Sequence, residues 1–186
     1  MENIVKSFLS ESARIKTELA SNKDFIQQVA QAGQKLRDIS KDGGTIYICG
    51  NGGSTCDAMH FTEELVARYK RERPGIRAMH FMDSSTLTCW SNDYSYEDVF
   101  RRQAETFCTN KDAFIGITTS GNSANVINAL NIAKEKGSYT VVLTGKDGGK
   151  IKSLADASFV VPSNETDRIQ EVHITIIHAL CEMIES

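Results

Sequence analysis

His60 and Glu64 stand four residues apart in a proline-free stretch, Ser54 to Lys70. If that stretch is helical, both side chains share one face and reach a common proton or cation. Four histidines occur: His60, His80, His173 and His178. His178 follows Gln170 by eight residues and Glu171 by seven, so on a helix it shares a broad face with both. A carboxylate and an imidazole facing one pocket can carry protons between adjacent carbons of a sugar. The same nitrogen and oxygen donors suit a borderline cation such as zinc. Spacing leaves open whether Gln170, Glu171 or His173 joins His178. Among Ile176, Ile177, Ala179 and Leu180, His178 also reads as an ordinary buried, hydrogen-bonded histidine. His80, in an apolar strand run, reads as a satisfied core residue.

Two loops have the composition of anion sites. Cys49-Gly50-Asn51-Gly52-Gly53-Ser54 follows a short apolar run, and its glycines let backbone N–H groups approach an anion closely. A dinucleotide fingerprint needs glycine three positions after the second glycine, where this chain has Thr55. Thr118-Thr119-Ser120-Gly121-Asn122-Ser123 offers four hydroxyls, an amide and a glycine just before a helical pattern. Ordinary capping by Asn122 or Ser123 needs only one such residue, so a phosphate cradle is favoured. No GxxxxGK[ST] sequence supports a nucleoside-triphosphate loop. Asn92-Asp93 and Thr144-Gly145-Lys146-Asp147-Gly148-Gly149 fall at the same edge, though both compositions also suit plain turns.

The elements that must position these groups alternate. Apolar runs at Thr45–Cys49, Ile76–Phe81, Ala113–Thr118, Tyr139–Thr144 and Ser158–Val161 are separated by helix-length patterns near 54–70, 84–91 with 95–108, 122–136, 147–155 and 166–185. This predicts an α/β fold with a doubly wound, mainly parallel five-stranded sheet flanked by helices. Ligands of such sheets sit beyond the carboxyl ends of the strands. Residues 1–42 add an N-terminal helical extension, with apolar stripes at Ile4, Phe8, Ile15 and Leu19 and again from Phe25 to Ile39. The two helices divide near Ser21-Asn22, either of which could cap the second. Their stripe needs cover from residues 43–186 or from another subunit. The whole of 1–186 reads as one domain.

At 186 residues, 40% apolar, 24% charged and net charge −3, the chain is globular and carries no basic surface for nucleic acid or anionic membrane. Lys70-Arg71-Glu72-Arg73 reads as a solvated helix end. Five scattered cysteines without a CxxC pair fit a reducing cytoplasm, with Cys49 and Cys56 as small buried hydrophobes. The N-terminus carries an acid and no apolar run, unlike a signal peptide, and no stretch approaches a membrane span.

The blocks Cys-Gly-Asn-Gly-Gly-Ser at 49–54, Cys-Asp-Ala-Met-His-Phe at 56–61, Glu-Glu-Leu at 63–65, Arg-Tyr at 68–69 and Arg-Pro-Gly at 73–75 are familiar together. With Thr-Ser-Gly-Asn-Ser at 119–123, Leu-Thr-Gly-Lys-Asp-Gly-Gly-Lys at 143–150, Asp-Arg-Ile-Gln-Glu-Val-His-Ile at 167–174 and Ile-His at 177–178, the sequence resembles the sedoheptulose 7-phosphate isomerase family of SIS-fold proteins. The resemblance implies an aldose–ketose isomerase making D-glycero-D-manno-heptose 7-phosphate for lipopolysaccharide heptose. It also implies a homotetramer whose active sites draw on more than one subunit. By position, Glu64 and His178 match the family's acid–base pair, and His60, Glu64, Gln170 and His178 match its zinc ligands, one ion per subunit. Asn51, Gly52, Gly53, Asn92, Asp93, Thr118, Thr119, Ser120 and Ser123, with Glu64 and Gln170, fall at its substrate contacts, and Arg68 and Asp167 at supporting positions.

Three places depart from the family pattern. Thr118 stands where serine is common. Thr88–Ser95 lacks the usual glycine or alanine before Asn92-Asp93 and the glycine near 95. Pro162–Thr166 differs in the approach to the last helix. The rival from another class is a non-catalytic relative that associates with the bacterial replication initiator. Such relatives lack the full acid–base pair, which favours an enzyme here. A phosphosugar-sensing regulator would bring a DNA-binding extension, and an isomerase of another phosphosugar is a closer competitor.

Overall fold

The structure is a computed structural model that describes residues 1–186. Helices α1 (Glu2–Ser21) and α2 (Lys23–Lys41) precede strand β1 (Ile46–Gly50) and helix α3 (Gly53–Val66). Then come β2 (Ala78–His80), α4 (Ser84–Asp93), a 3-10 turn (Tyr96–Asp98) and α5 (Val99–Phe107). β3 (Ala113–Thr118), α6 (Ala124–Glu135), β4 (Tyr139–Gly145), a 3-10 turn (Lys150–Ser153), β5 (Ala157–Val161) and α7 (Thr166–Ile184) complete the chain. The sheet order is β2-β1-β3-β4-β5, every pair parallel, with Ile46 opposite both Ala78 and Ala113. The predicted doubly wound five-stranded sheet is therefore present.

Alternate strand residues supply the two cores. Ile46, Ile48, Ile115, Ile117, Val141 and Leu143 pack with α2, α3 and α7 on one face. Tyr47, Cys49, Phe114 and Val142 pack with α5 and α6 on the other. The central strands β1, β3 and β4 are buried almost throughout, as a sheet covered on both faces requires. Asn22 separates the first two helices and caps the second, its side-chain oxygen accepting the Phe25 N–H at 3.1 Å. On α1 only Ile15 and Leu19 of the stripe are buried, while Ile4 and Phe8 are about half exposed.

Several boundaries differ from the sequence expectation, each for a local reason. The 147–155 stretch is a loop with a 3-10 turn, because Gly148 and Gly149 adopt φ of +93° and +58°, outside helical space. Helix α3 stops at Val66, four residues early. There Arg73 donates to the carbonyls of Glu64 and Leu65, both at 2.9 Å, and satisfies acceptors the helix would leave open. Lys70–Arg73 consequently lies beyond the helix end, with Lys70, Arg71 and Glu72 exposed. Arg71 and Arg73 pair with Glu185, and Lys70 with Glu182, at the end of α7. Strand β2 is only three residues long and half-buried at the sheet edge. His80 within it keeps a buried Nδ1 without a partner, so it is not the satisfied core histidine expected. Cys56 is exposed rather than buried, whereas Cys49 is buried.

His173 is wholly buried between α7 and β4, its Nε2 3.1 Å from the Thr144 carbonyl. Burial pushes it down to about 4, against the opposing pull of that carbonyl. An unfolded histidine titrates near 6.5, so between these values the unfolded chain takes a proton that the folded chain refuses. The stabilising effect of neutral His173 is complete above about 6.5 and is lost as pH falls towards 4. Urea unfolding at pH 7 and pH 4.5 checks this: wild type should lose more stability between the two than His173→Gln, and equal losses would contradict it.

Candidate functional site

The sheet order reverses between β1 and β3, so the loops after these neighbouring strands leave to opposite faces and open a crevice at their carboxyl ends. Asn51, Gly52 and Gly53 line one side. Gly52 takes φ +57°, a conformation open to glycine, and precedes α3 with no side-chain cap. Thr118, Thr119, Ser120 and Ser123 line the other side, ahead of α6. Ser123 occupies the cap position of α6 but makes no cap hydrogen bond. Its hydroxyl lies 2.9 Å from that of Thr118, which is 3.5 Å from that of Ser120. The Asn122 amide donates to Ser120 O, and its oxygen accepts Lys150 N–H. The ordinary capping alternative is thus not realised. Two helix N-termini face the crevice without side-chain caps, and their free N–H groups and dipoles favour an anion.

The second loop is held by backbone contact. Gly121, at φ +68°, lies so close to the Gly148 carbonyl and to Gly149 that a Cβ there would collide with them. Ile151 N–H donates to Gly121 O at 3.1 Å. The Thr144–Gly149 segment, expected at the same edge as a turn and helix start, is a brace for the hydroxyl loop.

Along α3, His60 and Glu64 occupy one face as their spacing required. His60 Nε2 is 3.0 Å from Glu64 Oε1, with the side chains 41% and 16% exposed. His178 comes from α7, which packs alongside α3, and its ring stands edge-on to His60 at 5.2 Å. One donor atom from each of His60, Glu64 and His178 lies within 4.8 Å of the others. Two imidazoles and a carboxylate at this spacing fit a zinc-type donor set. Gln170 comes from the same helix as His178. Its carboxamide packs over Gly53 at the glycine loop, eight residues and about 12 Å of helix rise before His178. Glu171 is paired with Arg168, and His173 is in the core.

Asn92 and Asp93 form the exposed last turn of α4 rather than a loop after it. Asn92 donates to Asp93, and Asp93 accepts from Cys89. Neither bonds to the crevice loops. Asp167 is exposed and engaged with Arg168 at 3.0 Å, and Arg68 is exposed in the turn after α3. Two neighbours of the triad carried no sequence expectation. Tyr69 stacks on His178 with ring centroids 5.8 Å apart. Asp57, three residues before His60, has a buried Oδ2 without a partner, and burial raises its carboxyl to about 6 against the nearby His60. Both lie in sequence blocks already singled out, Arg68-Tyr69 and Cys56–Phe61. The i, i+3 spacing of Asp57 and His60 was the available signal for one of them.

Residues 7–145 match the family model described as SIS domain. The chain is 45% identical over 185 residues to the phosphoheptose isomerase of Vibrio cholerae, covering 99% of this chain and 97% of that one. It is 48% identical over 182 residues to the phosphoheptose isomerase of Histophilus somni, covering 97% and 93%. Among solved structures, phosphoheptose isomerase GmhA from Neisseria gonorrhoeae superposes with a TM-score of 0.92 at 38% identity, covering 99% of this chain and 98% of that chain. The phosphoheptose isomerase from Francisella tularensis gives 0.90 at 32%, covering 98% and 96%. With this likeness running through nearly its whole length, the chain belongs to the phosphoheptose isomerase family of SIS-domain proteins.

Proposed function

We propose that the protein interconverts sedoheptulose 7-phosphate and D-glycero-D-manno-heptose 7-phosphate, supplying heptose for lipopolysaccharide. The convergence of His60, Glu64 and His178 from two helices carries this reading. The phosphate is held at the hydroxyl loop, by Thr118, Thr119, Ser120, Ser123 and the free N–H groups of α6. Asn51, Gly52, Gly53 and Gln170 contact the sugar, with Asn92 and Asp93 reaching it from the end of α4.

In the ketose, a proton leaves C1 while the C2 carbonyl oxygen gains one, giving an enediol. A proton then reaches C2 as the C1 hydroxyl gives up its own, giving the aldehyde. Glu64 and His178 are the acid and base of these transfers. Their fixed positions on packed helices keep the reacting carbons in register with the anchored phosphate. His60, Glu64 and His178, with Gln170 as the fourth candidate, would hold zinc, which when bound polarises substrate oxygens. Tyr69 keeps the His178 ring in place by stacking.

The same reading includes a cytoplasmic homotetramer. Met1, Ile4, Val5, Phe8 and Leu9 leave an apolar strip exposed on α1. An apolar groove of about 310 Å3, lined by Leu19, Phe25, Ile26, Val172, Ile176 and Met183, lies among α1, α2 and α7. Uncovered apolar surface of this kind supports burial against other copies. No helix is long and apolar enough to cross a membrane. Because α2 shares its apolar cluster with the sheet and α7, residues 1–186 are best read as one SIS unit.

Turnover of sedoheptulose 7-phosphate, with the aldose product followed by NMR, tests the reading. Glu64→Gln and His178→Ala should each lower kcat by roughly 10²–10⁴-fold while remaining folded. Near-normal turnover in either variant would remove that residue from the chemistry. Protein purified without a histidine tag should carry one zinc per chain and lose it in His60→Ala, and full activity in metal-free protein would reject the zinc assignment.

A further inference from the structure

Asn51 is bonded in a way that determines which part of its carboxamide can reach a ligand. Its Nδ2 donates to Asn125 Oδ1 at 2.8 Å, and Asn125 Nδ2 donates back to Asn51 Oδ1 at 2.9 Å. The two amides form a closed reciprocal pair. Asn125 is only 3% exposed at the start of α6, and its Oδ1 also accepts the Val126 N–H at 3.0 Å. That backbone donor cannot be reversed, so it fixes which end of Asn125 carries oxygen, and the pairing then fixes Asn51. Asn51 Oδ1 has one further partner, the Tyr96 hydroxyl at 2.8 Å, which must be the donor.

A carboxamide offers two acceptor sites and two N–H donors. In Asn51 both acceptor sites are used, by Asn125 and Tyr96, and one N–H is used by Asn125. A single N–H is left. Tyr96 is itself 57% exposed, yet its backbone segment is anchored. Asn128, one turn beyond Asn125 on α6, donates to Glu97 O at 3.0 Å and to Asp98 Oδ1 at 3.3 Å. The 3-10 turn, the glycine loop and α6 are thus tied through three side-chain amides and one phenol.

We infer that Tyr96 and Asn125 are positioning residues that hold the Asn51 carboxamide as a one-proton donor towards an oxygen of the sugar phosphate. This rests on the functional reading above, in which Asn51 contacts the substrate. A rotated Asn51 would present an acceptor to that oxygen and repel it. Asn125 blocks the rotation, because it would set Asn51 Oδ1 against Asn125 Oδ1, and the Tyr96 hydroxyl adds a donor to Oδ1 in the orientation that remains. Tyr96→Phe removes one hydrogen bond and little else, since most of the ring is in solvent.

The test is a double-mutant cycle on Tyr96→Phe and Asn51→Ala, read as KM and kcat for sedoheptulose 7-phosphate. Tyr96→Phe should raise KM about fivefold, the scale of one ordinary hydrogen bond, with kcat within about twofold and an unchanged melting temperature. In the Asn51→Ala background, Tyr96→Phe should have no further effect. An unchanged KM in Tyr96→Phe, or the same factor with and without Asn51, would overturn the proposal. If wild type does not turn over this sugar, the functional reading fails by itself, and the cycle is then read by calorimetric binding of the same sugar phosphate. The same non-additive weakening there would uphold the inference. Additive effects, or no binding by wild type, would overturn it.

Discussion

The reversal of strand order between β1 and β3 is the constraint on which the rest of the structure depends. Two adjacent parallel strands send their following helices to opposite faces, so their carboxyl ends cannot be covered by a shared connection. Neither residue that precedes these helices, Gly52 or Ser123, bonds a first-turn N–H through a side chain, although Asn125 within α6 accepts that of Val126. Ser123 could cap α6, but its hydroxyl is turned to Thr118 instead. A local capping contact worth about 1 kcal/mol is left unmade at a place where an anion can supply the same partners.

From that gap the two helices α3 and α7 lead to the triad. Their registration is set at both ends. Gln170 packs directly on Gly53 near their starts. Near their ends, Arg73 joins the Glu64 and Leu65 carbonyls to Glu185, whose side chain is wholly covered. The cover would tend to neutralise the Glu185 carboxyl, but the Lys70 and Arg71 N–H groups and the Arg73 guanidinium hold it below its usual range. The two helices that carry His60, Glu64 and His178 are therefore registered by contacts outside the triad. Such outside support is what keeps a catalytic group in a narrow geometry.

Periodicity showed the alternation of strands and helices because burial on both faces writes long apolar runs into β1, β3 and β4. The four-residue spacing of His60 and Glu64 was legible for the same geometric reason. Where single-chain reading fell short, the deciding partner was distant in sequence. Arg73 ends α3 through a pair with Glu185, 112 residues away. Gly148 and Gly149 are shaped by the loop at Gly121, and the Asn51–Asn125 pair spans 74 residues. Cys56 has the composition of a buried residue but lies on the outer face of α3, a matter of helix phase that one cysteine does not signal.

The central claim is that Glu64 and His178 move a proton between neighbouring carbons of a sugar whose phosphate is anchored at the α6 N-terminus. Running the conversion of sedoheptulose 7-phosphate in deuterated water, and locating deuterium in the aldose by NMR, tests it most directly. Proton transfer through an enediol predicts deuterium at C2 of the product and none elsewhere on the carbon chain. Product with no solvent deuterium at C2, formed at the same rate by wild type and by Glu64→Gln and His178→Ala, would contradict it, pointing to hydrogen that passes between C1 and C2 without either side chain.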